Sequence, residues 1–481
     1  MKQRISWYAI ALVAACVIPL YGLIQTDLDK FKNGEKNLPG AHLMNADLSG
    51  RRNEGVNLSG ANLQNANLTR AFLARSNLSR ANLMYANCTS ASMSGSNLDY
   101  AMMRGANFTG ASLNRTSVMR DFFEMMLRNA DLTETKFNNA MIINANFSRA
   151  TLKFTDFSNA AVVSCDFTNA MIQGCTFTGT NLETSKFINL SLSNSTFEGA
   201  KLNGVLFQNV IFTANNFKKA VFTGAVMSSL NLAGISFEGA TLTQANLSKS
   251  DMSRCILNGA TIERANLQET DLSLASLNGS ILHGSAMNKA NLSSARLQNV
   301  RMYSGSLRET NFFRTSLTGS YLSEVDFTGA IFQYATLQDM SVKMSNFTRA
   351  EFRNTTWSGA GGMMANYSSA KFENSTLTGL NMSECIFAGA TIKDTKIEGT
   401  NFTGADMKGV VMSGNCVITV TDFTNADLTG ADLRGADFGK GVKFSNTKLT
   451  NADMAGARVN RGLYSYIQNS GAKNISQIVF K

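Results

Sequence analysis

Acid–base, metal or thiol chemistry in this chain would have to be built from two His and seven Cys. A His base or metal ligand needs a partner at defined spacing. His42 and His283 stand alone, with no such partner near them in the sequence. The Cys count is odd, and Cys16 sits in an apolar N-terminal stretch, so no complete set of pairs is implied. Neither a glycine-rich phosphate loop nor a nucleophile elbow is found. The 44 Lys and Arg oppose 34 Asp and Glu across 481 residues, a net charge of +10. That mild excess favours anionic surfaces but does not establish nucleic-acid binding. With 44% apolar and 16% charged residues, the chain is neither disordered nor collagen-like. These features argue against an enzyme, a cofactor or a small-molecule substrate, and for a scaffold.

From residue 41 the sequence repeats every five residues, as in AHLMN, ADLSG, VNLSG, ANLQN and ANLTR. Leu43, Leu48, Leu58, Leu63 and Leu68 are the large apolar centres. A small residue stands two places before each centre, and Asn, Asp or Thr one place before. A helix cannot use this period, because five residues turn it through about 500° and scatter the centres around every face. A continuous strand cannot either, since an odd period sends alternate centres to opposite sides. Within one repeat, however, the small residue and the centre both face inward from a short extended segment. The residue between them faces out, and the last two residues, often Ser, Thr, Gly or Asn, turn the corner. Stacked turns of this kind make a quasi-one-dimensional solenoid.

The A(D/N)LxX pattern resembles the pentapeptide-repeat family. The resemblance covers residues 41 to about 460 and implies an all-β solenoid, a right-handed quadrilateral β-helix with four repeats per coil. It also implies that function lies in surfaces, because some members resemble B-DNA in shape and acidity and so bind the type II topoisomerase gyrase. An acidic stripe is needed for that. Here Asp251 and Asp271 stack, but Asn291 and Asn311 continue their column as neutral groups, while Asp422, Asp427, Asp432 and Asp437 ring a single coil.

Ahead of the repeats, residues 5–24 carry no charge and are long enough to cross a ~30 Å hydrocarbon core as a helix. Trp7, Tyr8 and Tyr21 flank the run, and Pro19 is tolerable in such a helix. The leading reading is an uncleaved signal anchor over residues 1–26. The alternatives are a lipoprotein signal that places lipid on Cys16, a cleaved signal peptide, and a buried cap. The expected organisation continues with a linker (27–40), the β-helix (41–459) and a C-terminal cap (460–481).

The centres keep step to Phe123, but Leu127 arrives one residue early, so residues 120–127 are a candidate joint. The phase then holds to Val417, with Phe423 and Phe444 each one residue late. Gly362 falls on a centre, where Met363 or Met364 is expected to fill the gap. Cys165, Cys175, Cys255 and Cys385 replace the small inward residue and Cys88 is a centre, so they read as buried small hydrophobes, not as a disulfide or zinc set.

Residues 20 apart should stack on one face, which makes surface columns informative. Arg51, Arg52, Arg70, Arg75, Arg80 and Arg115 enrich the first coils and are candidate contacts to anionic lipid. Leu206, Ile211, Val221 and Val226 occupy outward places and form a candidate apolar partner patch. The leading expectation is a membrane-anchored scaffold or spacer, non-catalytic, on the exported side of a bacterial envelope. It would bind an unknown protein and could self-associate. A regulatory binder of a nucleic-acid enzyme such as gyrase is the alternative, with a secreted or host-directed effector behind it.

Overall fold

A computed structural model describes residue 22, residues 25–118 and residues 122–481. The backbone winds into parallel, four-sided coils in which each repeat pairs with the repeat one coil later. In the first compact unit, which ends at Val226, bridges run from Asn37↔Asn57 to Leu206↔Val226. The pairing step is 20 residues, except that Asn107↔Met126, Ser112↔Asp131 and Ser117↔Lys136 step by 19. That shortened coil is the structural form of the early Leu127.

Two parallel sheets extend this ladder. One joins β1 (Phe122–Phe123), β2 (Met141–Ile143) and β4 (Ala161–Val163); the other joins β3 (Thr151–Lys153), β5 (Met171–Gln173), β6 (Lys186–Ser193) and β7 (Leu206–Thr213). The centres fill the interior: Leu in the early coils, then Phe. Phe137, Phe157, Phe177, Phe197 and Phe217 form one stacked column with ring centroids 4.6–5.1 Å apart. Offset stacking of this kind adds to the burial of each ring.

The second unit, Met227–Lys481, repeats the architecture. Its step is 20 residues until Lys396↔Val417 and Asn401↔Asp422, where it becomes 21. The extra residue falls between the buried centres Met412 and Ile418, so Val417 faces outward and is not a centre. Nor do Met363 and Met364 fill the gap at Gly362; Met364 is exposed. A Cβ on Gly362 would meet the Tyr367 hydroxyl and Val342 Cγ2, the latter at 2.9 Å. Gly362 therefore makes room for a Tyr in a column otherwise lined by Phe327, Phe347 and Phe387. At the C-terminal end, helix α2 (Arg461–Ile467) turns Leu463 and Ile467 inward, and Tyr466 Oη donates to the Thr447 carbonyl at 2.8 Å. The strand Val479–Phe480 then pairs with Arg458–Val459.

The membrane expectation requires correction. Among the described residues no helix is long and apolar enough to cross a membrane. The first described helix, α1 (25–32), carries Asp27, Asp29, Lys30 and Lys32 and buries Phe31 against the first coil. Asn53 Nδ2 donates to the Phe31 and Glu35 carbonyls and so holds this plug in place. Trp7, Tyr8, Cys16, Pro19 and Tyr21, apart from Gly22 the substance of the proposed anchor, lie outside the described residues. The N-terminal membrane helix, the single-pass envelope location and the membrane as a partner are therefore not carried further.

Candidate interaction surfaces

The outward place one residue before each centre explains the D/N in the repeat. An Asn or Asp there accepts the backbone N–H two residues on, as Thr69 N–H to Asn67 Oδ1 (3.2 Å) and Thr424 N–H to Asp422 Oδ1 (2.9 Å). This local Asx turn sets the corner. An Asn has a further amide, which donates to the coil before: Asn57 to Asn37 (3.0 Å), Asn77 to Asn57 (3.2 Å), and Asn67 to Asp47 (3.0 Å).

The inward place two residues before a centre is equally specific. Ser96 and Thr155 donate to the carbonyls of Leu73 (2.7 Å) and Leu132 (2.9 Å). The thiols of Cys175 and Cys255 do the same to Leu152 and Leu232, each at 3.0 Å. Burial pushes the thiols of Cys88, Cys165, Cys255 and Cys385 up to about 12 and that of Cys175 to about 11. A thiol held protonated at neutral pH is a poor nucleophile and metal ligand. Among the described residues no cluster of His, Cys, Asp or Glu could hold a metal ion.

The predicted surface residues are dispersed. Arg70, Arg75 and Arg80 occupy successive corners at positive φ and point from different faces of one coil. Arg52 lies over the Phe72 ring, 4.3 Å from its centroid, and Arg115 pairs with Glu134 at 3.0 Å. Leu206 and Val226 share a face as bridge partners, but Ile211 pairs with Ser191 and Val221 with Lys201 on two other faces. Ile211 is 67% exposed, whereas Leu206 and Val221 are half-buried. The acidic ring is neutralised by cations: Asp422 by Lys443 (3.5 Å), Asp427 by Lys408 and Lys448 (3.7 Å each), Asp432 by Arg434 (2.7 Å) and Asp437 by Lys481.

A different surface emerges on one face of the second unit. Strands β8 (Arg301–Tyr303) and β9 (Tyr321–Ser323) pair there, so Arg301 lies beside Tyr321. Tyr321 is 64% exposed and Tyr303 53%; Met344 and Met364 stack beyond them at 50% and 46%. Next to Tyr303, the residues Glu263, Arg264, His283, Gly284 and Ser304 line an open groove of about 590 Å³. Gly284, between Arg264 and Ser304, supplies the dip. The Tyr303 N–H donates to His283 Nδ1 at 3.0 Å, which leaves Nε2 to carry the proton of the neutral ring. A hydrogen bond to Glu324, and that carboxylate's charge, raise the Tyr303 phenol above its usual range. Arg, Tyr and Met are the side chains enriched where proteins meet. Sequence reasoning passed over this face, although the signal was present: large residues at outward and corner places in columns 20 apart.

Comparison with known proteins places the chain. A profile described as pentapeptide repeats (8 copies) matches nine stretches between residues 54 and 404, and a second, of 9 copies, matches residues 397–448. No curated protein sequence matches. Among solved structures, HetL, a pentapeptide-repeat protein involved in heterocyst differentiation regulation from the cyanobacterium Nostoc sp. strain PCC 7120, is 20% identical. The match covers 56% of this chain and 89% of HetL, with a TM-score of 0.21. QnrB1, a plasmid-mediated fluoroquinolone resistance protein, is 24% identical over 41% of this chain and 88% of its own, with a TM-score of 0.30. A pentapeptide-repeat protein of the Arabidopsis thaliana thylakoid lumen is 22% identical over 33% of this chain and 66% of its own, at 0.12. These structural scores are low, and the assignment rests on the repeat profiles, which span more than half of the sequence. The chain belongs to the pentapeptide-repeat family.

Proposed function

We propose that the chain is a regulatory protein that binds a nucleic-acid enzyme, with the Arg301–Tyr303–Tyr321–Met344–Met364 face of its second unit as the contact surface. The observation that carries this reading is the concentration of exposed Tyr and Met beside Arg301 on one face, where Tyr303, Tyr321, Met344 and Met364 lie within four coils. Family membership supplies the class of partner. The charge pattern argues against imitation of DNA as the means: the acidic residues of the last coils are paired with Lys and Arg, and the net charge is +10. Binding would instead draw on aromatic and thioether burial, with Arg301 and Arg264 at the rim.

The test is titration of a purified type II topoisomerase with the full chain, following binding and DNA supercoiling together. Wild type should bind and alter supercoiling, and Tyr321→Asp with Met344→Asp should weaken binding by about tenfold or more with the β-type circular dichroism unchanged. Absence of binding by wild type overturns the nucleic-acid-enzyme reading; undiminished binding by the double variant removes the face.

A further inference from the structure

The same face is complementary to itself. We propose that, in the absence of another partner, it pairs with the corresponding face of a second copy, the coils antiparallel about a twofold axis that crosses the face at Tyr321. This rests on the reading of that face as a contact surface.

The argument is one of register. A twofold axis lying in the contact plane, perpendicular to the coil stack, sets each column against the same column in reverse order. Bridge pairs and ladder bonds fix the columns at one residue per coil: Arg264, Gly284, Ser304, Glu324, Met344, Met364 and Glu384 in one, and Glu263, His283, Tyr303, Ser323, Lys343 and Met363 beside it. With the axis at the coil of Tyr321, Arg264 of each copy meets Glu384 of the other, twice in the dimer. Met364 meets the dip at Gly284, the floor of the 590 Å³ groove. Lys343 meets the ring of Tyr303, an arrangement that attracts a cation to an aromatic face. Tyr321 meets its own symmetry mate.

Arg264, Glu384 and Lys343 are exposed, and Tyr303 can present its exposed ring while its hydroxyl keeps the bond to Glu324. Glu324 facing its own copy is the one unfavourable juxtaposition in the register; the Tyr303 phenol hydrogen-bonded to it disperses that charge. The contact spans six coil steps, about 29 Å at ~4.8 Å each. Partner binding and self-pairing would then exclude each other, so self-association would set how much free surface is available.

The experiment is sedimentation of the purified full chain over a concentration series, without any enzyme present. Wild type should dimerise reversibly. Arg264→Glu should weaken the dimer about tenfold or more, and Arg264→Glu with Glu384→Arg should restore it, because the swapped charges meet again. Tyr321→Cys should give a covalent dimer on mild oxidation with copper phenanthroline, with wild type as control. A chain monomeric throughout, a double charge swap no better than the single, or no Tyr321→Cys cross-link would each overturn the proposal. Because no enzyme enters these measurements, self-pairing can fail while topoisomerase binding stands, and the reverse.

Discussion

The early coils around residues 57–107 and the late coils around residues 422–453 use the same outward place in opposite ways. In the early coils it is mostly Asn, and in one column the amides of Asn57 and Asn77 each donate to the Asn carbonyl one coil before. In the late coils it is Asp, with Lys443 and Lys448 one coil on. Both make the same Asx turn, so the corner geometry is indifferent to the choice. What differs is the second half of the side chain. An amide carries donors and acceptors and can stack on itself without limit, whereas a carboxylate only accepts and needs a donor above or below it. Asp432 and Asp453 pair in the ladder, and Arg434 and Asn474 supply their donors. The net charge of an Asp column thus depends on the cations beside it, and the acidic ring is a poor basis for DNA imitation because each of its four carboxylates is paired with Lys or Arg.

The largest expected effect tests what the two regions share. Leu68 and Leu433 are both fully buried centres. Leu68→Lys and Leu433→Lys should each cost several kcal/mol, about 2 from lost burial and the rest from a desolvated charge. Chemical unfolding monitored by circular dichroism would read this, and a large difference between the two would mean the cores are not equivalent.

Acidification should separate the regions. Partial burial alone would raise Asp422 and Asp427. Hydrogen bonds from Thr424 and Thr429, with Lys443 for the first and Lys408 and Lys448 for the second, outweigh it and hold both below the usual carboxylate range. The Arg434 hydrogen bonds lower Asp432 in the same direction, against partial burial. A carboxyl depressed by folding adds stability above its unfolded pKa, about 3.9, and that stability is lost as pH falls through the folded value. Hydrogen exchange should therefore show the coils of residues 422–453 opening in acid while the Asn-lined coils keep their protection. Equal loss in both would contradict the assignment of these ion pairs.

The smallest effect concerns salt. Asp427→Asn removes two ion pairs whose lysines are exposed, while the remaining amide keeps the Asx turn, and should change stability by less than about 1 kcal/mol. It should also flatten the salt dependence of the late coils, measured as the shift of the unfolding midpoint between low and high ionic strength. An unaltered salt dependence would place the effect elsewhere.

Much of this was legible because the period of five is a geometric constraint that few backbones satisfy. The inward centres, the short coil before Leu127 and the buried Cys all followed from it. Val417 was misassigned because Val417 and Ile418 are both β-branched apolar residues, and only the bridge to Lys396 shows which one faces out. At Gly362 the compensation comes from Tyr367 one repeat later, where a single hydroxyl distinguishes it from its Phe neighbours. Arg70, Arg75 and Arg80 did not converge, because a spacing of five moves each to a new face, and Arg115, in the column of Arg75 two coils on, is taken up by Glu134. The columns 20 apart were read for Asp, Arg and aliphatic residues, so Tyr303, Tyr321, Met344 and Met364, split between outward and corner places, were passed over.

The most direct test of the central claim is the affinity of the full chain for a purified type II topoisomerase, measured for wild type, for Tyr321→Asp with Met344→Asp, and for Ile211→Asp in the first unit as a surface control. Wild type and the control should bind alike and the double variant about tenfold more weakly or worse. Equal binding by all three, or none by wild type, would contradict the claim that this face is the working surface.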